Sequence, residues 1–405
     1  MTGFFTPTEV TSKQKHSPSL IPSCGLCKLF QGCQHPKIKP YGEGRRKILI
    51  VGEFPNEQAD YVGKPFAGDE ERLLRQSLAK YDVDLDKDCW QTNALICKVP
   101  NGKLANNKAV EWCRPTLIKT IQELQPEIII PMGPSAVKSV IGWVWKEEVG
   151  QISRWDGWRI PNQKLNAWIC PTWHPSYILR SDYGSQKENE LRQLFFDRHL
   201  EAACALKGRP WKKIPDYSNR IKVELDSVKA ATAIDAMVAG KRPLAFDFET
   251  NMLKPDSSKA RIVCCSISDG LTSIAYPWHG AAITATKRMI QADNPKIFSN
   301  QKFELRWSMK EFGHGVNNCA WDTMLAAHVI DCRPDITSIK FQAFVLLGVD
   351  AWEGKTKDYF KSNGSNDENK IRDMDLNTLL QYCAYDSLYE WKVAMIQAKR
   401  MGMEI

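Results

Sequence analysis

Arg242-Pro243-Leu244-Ala245-Phe246-Asp247-Phe248-Glu249-Thr250-Asn251 is the stretch on which the reading of this chain turns. An apolar run enters it and two carboxylates close it. Side chains alternate along a strand, so Asp247 and Glu249 point to one side. Two carboxylates on one face repel unless a cation lies between them, and a hard divalent ion suits oxygen ligands. Alone, the pair is equally a strand end with two solvated acids.

Two later stretches bear on that choice. Ser299-Asn300-Gln301-Lys302-Phe303-Glu304-Leu305-Arg306-Trp307 opens an amphipathic helix, and Tyr382-Cys383-Ala384-Tyr385-Asp386 lies in another. Residues four apart on a helix share a face, so Tyr382 and Asp386 point the same way. Together with Trp321-Asp322-Thr323-Met324-Leu325-Ala326-Ala327-His328, these motifs resemble the 3′–5′ proofreading exonuclease domain of family A DNA polymerases, a DEDD exonuclease of the tyrosine subtype. The resemblance runs from about Ile221 to the C-terminus.

That resemblance implies a ribonuclease H-like α/β domain and hydrolysis by two Mg²⁺ or Mn²⁺ ions, with Asp247, Glu249 and Asp386 as ligands and Tyr382 orienting water. Glu304 stands where the family has aspartate, and its longer arm keeps the charge. Asp322 reads as a helper or, more simply, a capping acid. The chain stops 19 residues after Asp386. The expectation is therefore a separately encoded polymerase subunit or a truncated polymerase.

At 405 residues the chain is long enough for at least two domains with their own cores. No apolar run approaches a membrane span, and the N-terminus lacks a signal-peptide core, so a cytoplasmic location is expected, in a host cell if the source is a phage. Thirteen scattered cysteines argue for reduced thiols and some metal ligands over a disulfide framework. Net charge is +8, with eight basic against two acidic residues in the first fifty. Such an excess suits a phosphate backbone, and equally a soluble surface.

The expected organisation is a flexible stretch at 1–20, a domain at 21–206, a linker at 207–220 and the exonuclease-like domain at 221–405. Lys361 to Asn369 reads as a polar loop. In the first domain, Lys47-Ile48-Leu49-Ile50-Val51 and the apolar runs at 127–132 and 167–171 read as strands. Helical patterns occur near 69–80, 107–124 and 134–141, and a further helix is expected from Leu225 to Met237. This alternation implies an α/β domain with a mainly parallel sheet, whose ligands bind beyond the C-terminal strand ends.

Cys24 and Cys27 are separated by two residues, Cys97 follows after 69 more and Cys113 after a further 15. Four thiolates can hold zinc or an iron–sulfur cluster, and spacing alone does not choose. Cys33 is a possible fifth thiol; Cys89, Cys170 and Cys204 read as ordinary core residues. With Gly52-Glu53-Phe54-Pro55, Gly63-Lys64-Pro65-Phe66-Ala67-Gly68, Thr92-Asn93 and His174-Pro175-Ser176, the first 200 residues resemble the family 4 uracil-DNA glycosylases. The resemblance implies an α/β/α sandwich around a four-stranded parallel sheet and a [4Fe–4S] cluster on Cys24, Cys27, Cys97 and Cys113. It also implies Phe66 stacking on a flipped uracil, Asn93 bonding its Watson–Crick edge, and His174 stabilising the leaving anion.

Departures bear on this second activity. Phe54 and Asn56 replace a small residue and a glycine and are expected to crowd the pocket, Ala59 stands where the family commonly has an acid, and Cys97-Lys98-Val99-Pro100 replaces Cys-Arg-Pro-Pro. Glu53 remains, to orient water or to serve as a structural acceptor. Weak or absent uracil excision is expected. The leading expectation is a metal-dependent 3′–5′ exonuclease, acting on single-stranded 3′ ends beside a polymerase, with the first domain holding DNA. The alternatives are a bifunctional enzyme that also excises uracil and a non-enzymatic polymerase scaffold. A bacteriophage replication or repair protein would join such modules.

Overall fold

The computed structural model describes residues 24–405 apart from 105, 107, 180–185, 353, 355 and 365; the expected flexible stretch at 1–20 lies outside the described residues. The chain divides into two compact units, one ending at Ile214 and the other beginning at Pro215.

The first unit runs β1 (Ile48–Gly52), α1 (Glu57–Val62), α2 (Asp69–Ala79), β2 (Cys89–Asn93), α3 (Lys108–Leu124), β3 (Ile128–Pro131), α4 (Pro134–Val144), β4 (Ile160–Asn162), β5 (Ala167–Ile169), α5 (Pro175–Leu179) and α6 (Gln186–Cys204). Its sheet has the order β2-β1-β3-β5-β4. The first four are parallel neighbours, and β4 returns antiparallel on the edge. Ile48, Leu49, Ile50 and Val51 are all fully buried, as expected of a parallel strand covered on both faces. Parallel strands present their C-terminal ends on one side. Glu53 follows β1, Asn93 ends β2, and His174 follows β5, so the expected site residues gather there. The approach is close: a Cβ on Gly52 would lie 2.3 Å from Asn93 Oδ1 and 2.7 Å from the Phe66 ring. Only glycine fits.

The second unit runs β6 (Ile221–Val223), α7 (Ser227–Ala239), β7 (Leu244–Thr250), β8 (Ile262–Ser268), β9 (Ser273–Pro277), α8 (Ala281–Gln291), β10 (Lys296–Phe298), α9 (Gln301–Phe312), β11 (Cys319–Asp322), α10 (Thr323–Ile330), α11 (Ile339–Leu347) and α12 (Leu376–Met401). The sheet order is β11-β10-β7-β8-β9-β6. The meander β7-β8-β9 is antiparallel, while β10 and β11 add parallel beside β7. This is the ribonuclease H-like arrangement, extended at one edge by β6 parallel to β9. Phe246, Phe248 and Phe298 pack edge-to-face under β7, with ring centroids 5.3 Å apart in both pairs.

Helix α12 lies across this sheet and is fixed by buried hydroxyls. Ser266 Oγ donates to the Cys383 carbonyl at 2.6 Å and lies 2.8 Å from Ser387 Oγ, which is 2.9 Å from Ser273 Oγ. All three serines are fully buried, and a buried hydroxyl stripped of its partners costs about 1–3 kcal/mol. Farther along, Gln397 Nε2 donates to the Thr323 carbonyl, and Trp321 Nε1 donates to Gln397 Oε1. The polar stretch from Lys361 contains no helix or strand among its described residues, and its end is tied down. Asn369 donates from its backbone to the Asn251 carbonyl and from its side chain to the Thr250 carbonyl.

Asp322 is a cap for two helices. Its carboxylate accepts from Met324 and Leu325 N–H at the start of α10, and from Asn300 and Gln301 N–H at the start of α9. A lost N-cap costs about 0.5–2 kcal/mol. Asp322→Ala is expected to destabilise the second unit by at least that much, and Asp322→Asn by less. Urea denaturation of both variants checks this; an unchanged midpoint for the alanine variant would contradict the double cap.

Candidate functional site

In the second unit, alternation along β7 sets Asp247 and Glu249 on one face, opposite Ser266 and Cys264 of β8. Helix α12, fixed by Ser387, brings Tyr382, Cys383 and Asp386 over the same strand. One ligand atom each from Asp247, Glu249 and Cys383 lies within 4.8 Å of the other two. Asp386 Oδ1 accepts from Trp352 Nε1 at 2.9 Å, and a hydrogen bond from Tyr382 also favours its charged form. Lys340 Nζ on α11 donates to Tyr382 Oη at 2.8 Å. Glu304 on α9 is buried, and its Oε2 has no hydrogen-bond partner among the described residues.

Electrostatics here are those of crowded acids. Burial is the largest influence on each of Asp247, Glu249, Asp386 and Glu304, and it pushes each carboxyl above its ordinary range. The Asp247 charge adds to the rise at the other three. Lys340 opposes it at Asp247, Glu249 and Asp386. Buried acids with an unsatisfied oxygen and one shared lysine fit a divalent-cation site. Asp247, Glu249, Asp386 and Glu304 are the residues able to hold such ions. Asp322 is engaged by four backbone N–H groups instead.

Lys340, Trp352 and Cys383 were not singled out from sequence. Glu390 is a further addition: one helical turn beyond Asp386, it is buried, with Oε2 unpartnered among the described residues. Its spacing from Asp386 was a legible signal. Lys340 and Trp352 carried none, because long-range packing places them.

In the first unit, Cys24, Cys27, Cys97 and Cys113 line one small, mostly apolar cavity. The Lys37 backbone N–H points at Cys97 Sγ, 3.4 Å away. Burial pushes the Cys97 and Cys113 thiols up, so only a cation would favour their thiolates. Four thiols around one cavity are a donor set for zinc or an iron–sulfur cluster. Cys33 lies beside it, donating to the Leu29 carbonyl at 3.2 Å, whereas Cys89, Cys170 and Cys204 pack in the hydrophobic core.

The neighbouring cavity measures about 970 Å³ and is lined in part by Glu53, Phe54, Asn56, Lys98 and His174. Asn56 does not crowd it as the sequence suggested. Its side chain accepts from Ala59 N–H as the cap of α1 and donates to the Ala67 carbonyl and Glu70. Phe54 leans on the cluster of Leu95, Val99, Ala109 and Val110, leaving the cavity open. Glu53 accepts from Ser135 N–H at the start of α4, a structural use. Beside Ala59, buried Asp60 accepts from Gln34 and His35 N–H and pairs with Lys98.

His174 Nδ1 lies 2.9 Å from Ser176 Oγ and 3.3 Å from the Ser176 N–H; with Nδ1 accepting from that N–H, Nε2 is the donor. Phe66 stacks on His174, with centroids 6.1 Å apart and planes 18° apart. Asn93 Nδ2 donates to the Pro65 carbonyl, while its buried Oδ1 has no partner among the described residues.

The uracil DNA glycosylase superfamily model matches residues 39–198. The type-4 uracil-DNA glycosylase of Pyrobaculum aerophilum is 33% identical over 167 residues, an alignment covering 40% of this chain and 82% of that protein. The chain belongs to the uracil DNA glycosylase superfamily. Its glycosylase-like unit is joined to a second family: the 3′–5′ exonuclease model matches residues 224–397, so this uracil DNA glycosylase superfamily member also carries a 3′–5′ exonuclease domain. A DNA polymerase of Bacillus phage SP01 is 22% identical over 339 residues, covering 74% of this chain and 34% of the polymerase. Among solved structures, NrnC of Brucella melitensis bound to pGG aligns at 21% identity and TM-score 0.32, covering 40% of this chain and 73% of that one. RNase D of Escherichia coli aligns at 14% and 0.35, covering 45% and 46%. Among the described residues, no helix is long and apolar enough to cross a membrane.

The raised carboxyls make stability depend on pH and metal. Their folded-state pKa values exceed the unfolded ones, so their stabilising contribution is complete below about pH 4. It is lost as pH rises through about 6 for Asp247 and about 7 for Asp386. In EDTA the melting temperature of the exonuclease domain is therefore expected to fall between about pH 5 and 8, and Mg²⁺ is expected to restore it most at the upper end. Thermal unfolding across that range checks this. A flat profile, or a Mg²⁺ effect larger at low pH, would contradict the crowded-acid reading.

Proposed function

We propose that the chain is a metal-dependent 3′–5′ exonuclease acting on DNA, with residues 221–405 performing the hydrolysis and residues 21–206 holding DNA. The observation that carries this is the convergence of Asp247, Glu249, Tyr382 and Asp386 on one buried acidic site within an exonuclease domain. When bound, two divalent ions would polarise the scissile phosphate and activate water. Asp247, Glu249 and Asp386 would hold them, with Glu304 reaching in from α9 on its longer arm. Tyr382 orients the attacking water, and Lys340 fixes the phenol oxygen. Trp352 holds Asp386 in its rotamer. The similarity to a phage polymerase supports, as part of the proposal, action beside a DNA polymerase in replication or repair.

Asn93 Oδ1, without a partner among the described residues and beside Phe66, which stacks on His174, supports a second reading in which uracil is also excised. The N3–H of a flipped uracil would satisfy that oxygen, and His174 Nε2–H would face the developing anion. We further propose that Cys24, Cys27, Cys97 and Cys113 hold a [4Fe–4S] cluster.

Three measurements test these statements. With 3′-labelled single-stranded DNA and Mg²⁺, Asp247→Ala is expected to lower degradation by at least about 100-fold, the scale of a 1 Å misplacement at a catalytic centre. DNA binding should persist. Tyr382→Phe should be milder; degradation by Asp247→Ala in EDTA would remove the two-metal reading. On uracil-containing strands, abasic sites that disappear in His174→Ala would establish the second activity, and their absence from the wild type would restrict the first unit to binding. Purified protein is expected to be brown, with iron and acid-labile sulfide in equal amounts; colourless protein with one zinc would contradict the cluster.

A further inference from the structure

Among the described residues, Cys383 is the exonuclease-site ligand candidate with a soft donor atom. It is fully buried on α12, three residues before Asp386. Its Sγ lies 3.8 Å from Asp247 Oδ2 and 3.8 Å from the Asp247 carbonyl. With Asp247 and Glu249 it supplies three ligand atoms within 4.8 Å of one another. A tetrahedral ion with Zn–S of about 2.3 Å and Zn–O of about 2.1 Å places sulfur and oxygen ligands about 3.6 Å apart. The Cys383–Asp247 separation already matches that spacing.

A second observation points to a cation at the same place. Glu304 Oε2 is buried without a partner among the described residues, and Asp247 is its leading charged neighbour. The position thus offers a carboxylate pair and a sulfur, with the unsatisfied Glu304 oxygen near Asp247. Mg²⁺ takes oxygen and water ligands and has little use for the sulfur, whereas Zn²⁺ and Cd²⁺ bind it strongly.

We propose that Asp247, Glu249 and Cys383 form a site for a thiophilic divalent cation of the Zn²⁺ or Cd²⁺ class, which displaces the hard ion used in hydrolysis. On binding, the Cys383 thiol releases its proton to solvent and its sulfur bonds the cation. The competition with Mg²⁺, though not the binding, rests on the exonuclease reading.

Titration of the full-length chain with ¹¹³CdCl₂, followed by ¹¹³Cd NMR, tests the binding. A resonance typical of a mixed sulfur and oxygen donor set is expected, absent in Cys383→Ala. Any resonance from the four-cysteine site lies apart, because all its donors are sulfur. Absence of a mixed resonance, or its persistence in Cys383→Ala, would overturn the site. Should Cys383→Ala not fold, Asp247→Asn carries the same test: loss of the mixed resonance supports the site and retention overturns it.

Zn²⁺ added at fixed Mg²⁺ tests the competition. Each protein's degradation rate is expressed relative to its own rate without zinc. Half-inhibition of Cys383→Ala is expected to need on the order of 10-fold more Zn²⁺ than wild type, the lower end of the usual cost of disturbing a metal shell. Equal sensitivity would overturn the competition. Wild-type protein that gives the mixed resonance but degrades no DNA would instead overturn the exonuclease reading and leave the site standing.

Discussion

Helix α12 can lie against the β7-β8-β9 meander in only one phase, and the second unit depends on that constraint. The contact combines apolar packing with small, fully buried hydroxyls, and a rotation of the helix would strand Ser266, Ser273 and Ser387 without partners in a dry interface. The arrangement has an electrostatic cost. It presses Asp386 toward Asp247 and Glu249, all with raised carboxyls. Packing and hydroxyl pairing thus hold together charges that would separate if they could. Such stored repulsion is what a bound cation relieves, which is why the site is best understood as half of a complex.

The glycosylase-like unit solves a related problem with different materials. Its site residues come from loops after parallel strands, held by helix caps: Asn56 on α1, Glu53 on α4. Asp60 ties the 34–35 segment to Lys98, next to Cys97. One buried acid therefore braces the chain on both sides of the cysteine cavity.

Much of this was legible in the sequence because it is local. Alternation placed Asp247 and Glu249 on one face of β7, and the four-residue spacing placed Tyr382 with Asp386. Uninterrupted apolar runs marked β1 and β3. What was not legible depends on partners far along the chain. Lys340 meets Tyr382 from 42 residues away, and Trp352 meets Asp386 from 34. The bulk of Phe54 and Asn56 suggested a blocked cavity, yet bulk is not direction: one ring turns to the apolar cluster near the cysteines, and one amide turns to a helix end.

The placement of Ser387 directly after Asp386 has a consequence for how this chain can vary. Each helical residue advances the phase by about 100°, so a single insertion or deletion between Tyr382 and Ser387 would turn the reactive side chains away while the anchor stayed put. Length in that segment is frozen, although the identity of several residues is not. The connection between α11 and α12 is held at points instead: Trp352 on Asp386, Phe360 against Tyr382, buried Ile371, and the tied end near Asn369. Lineages of this chain should therefore differ by gaps in that connection and by point changes alone in the helix: two modes of drift separated by one hydroxyl.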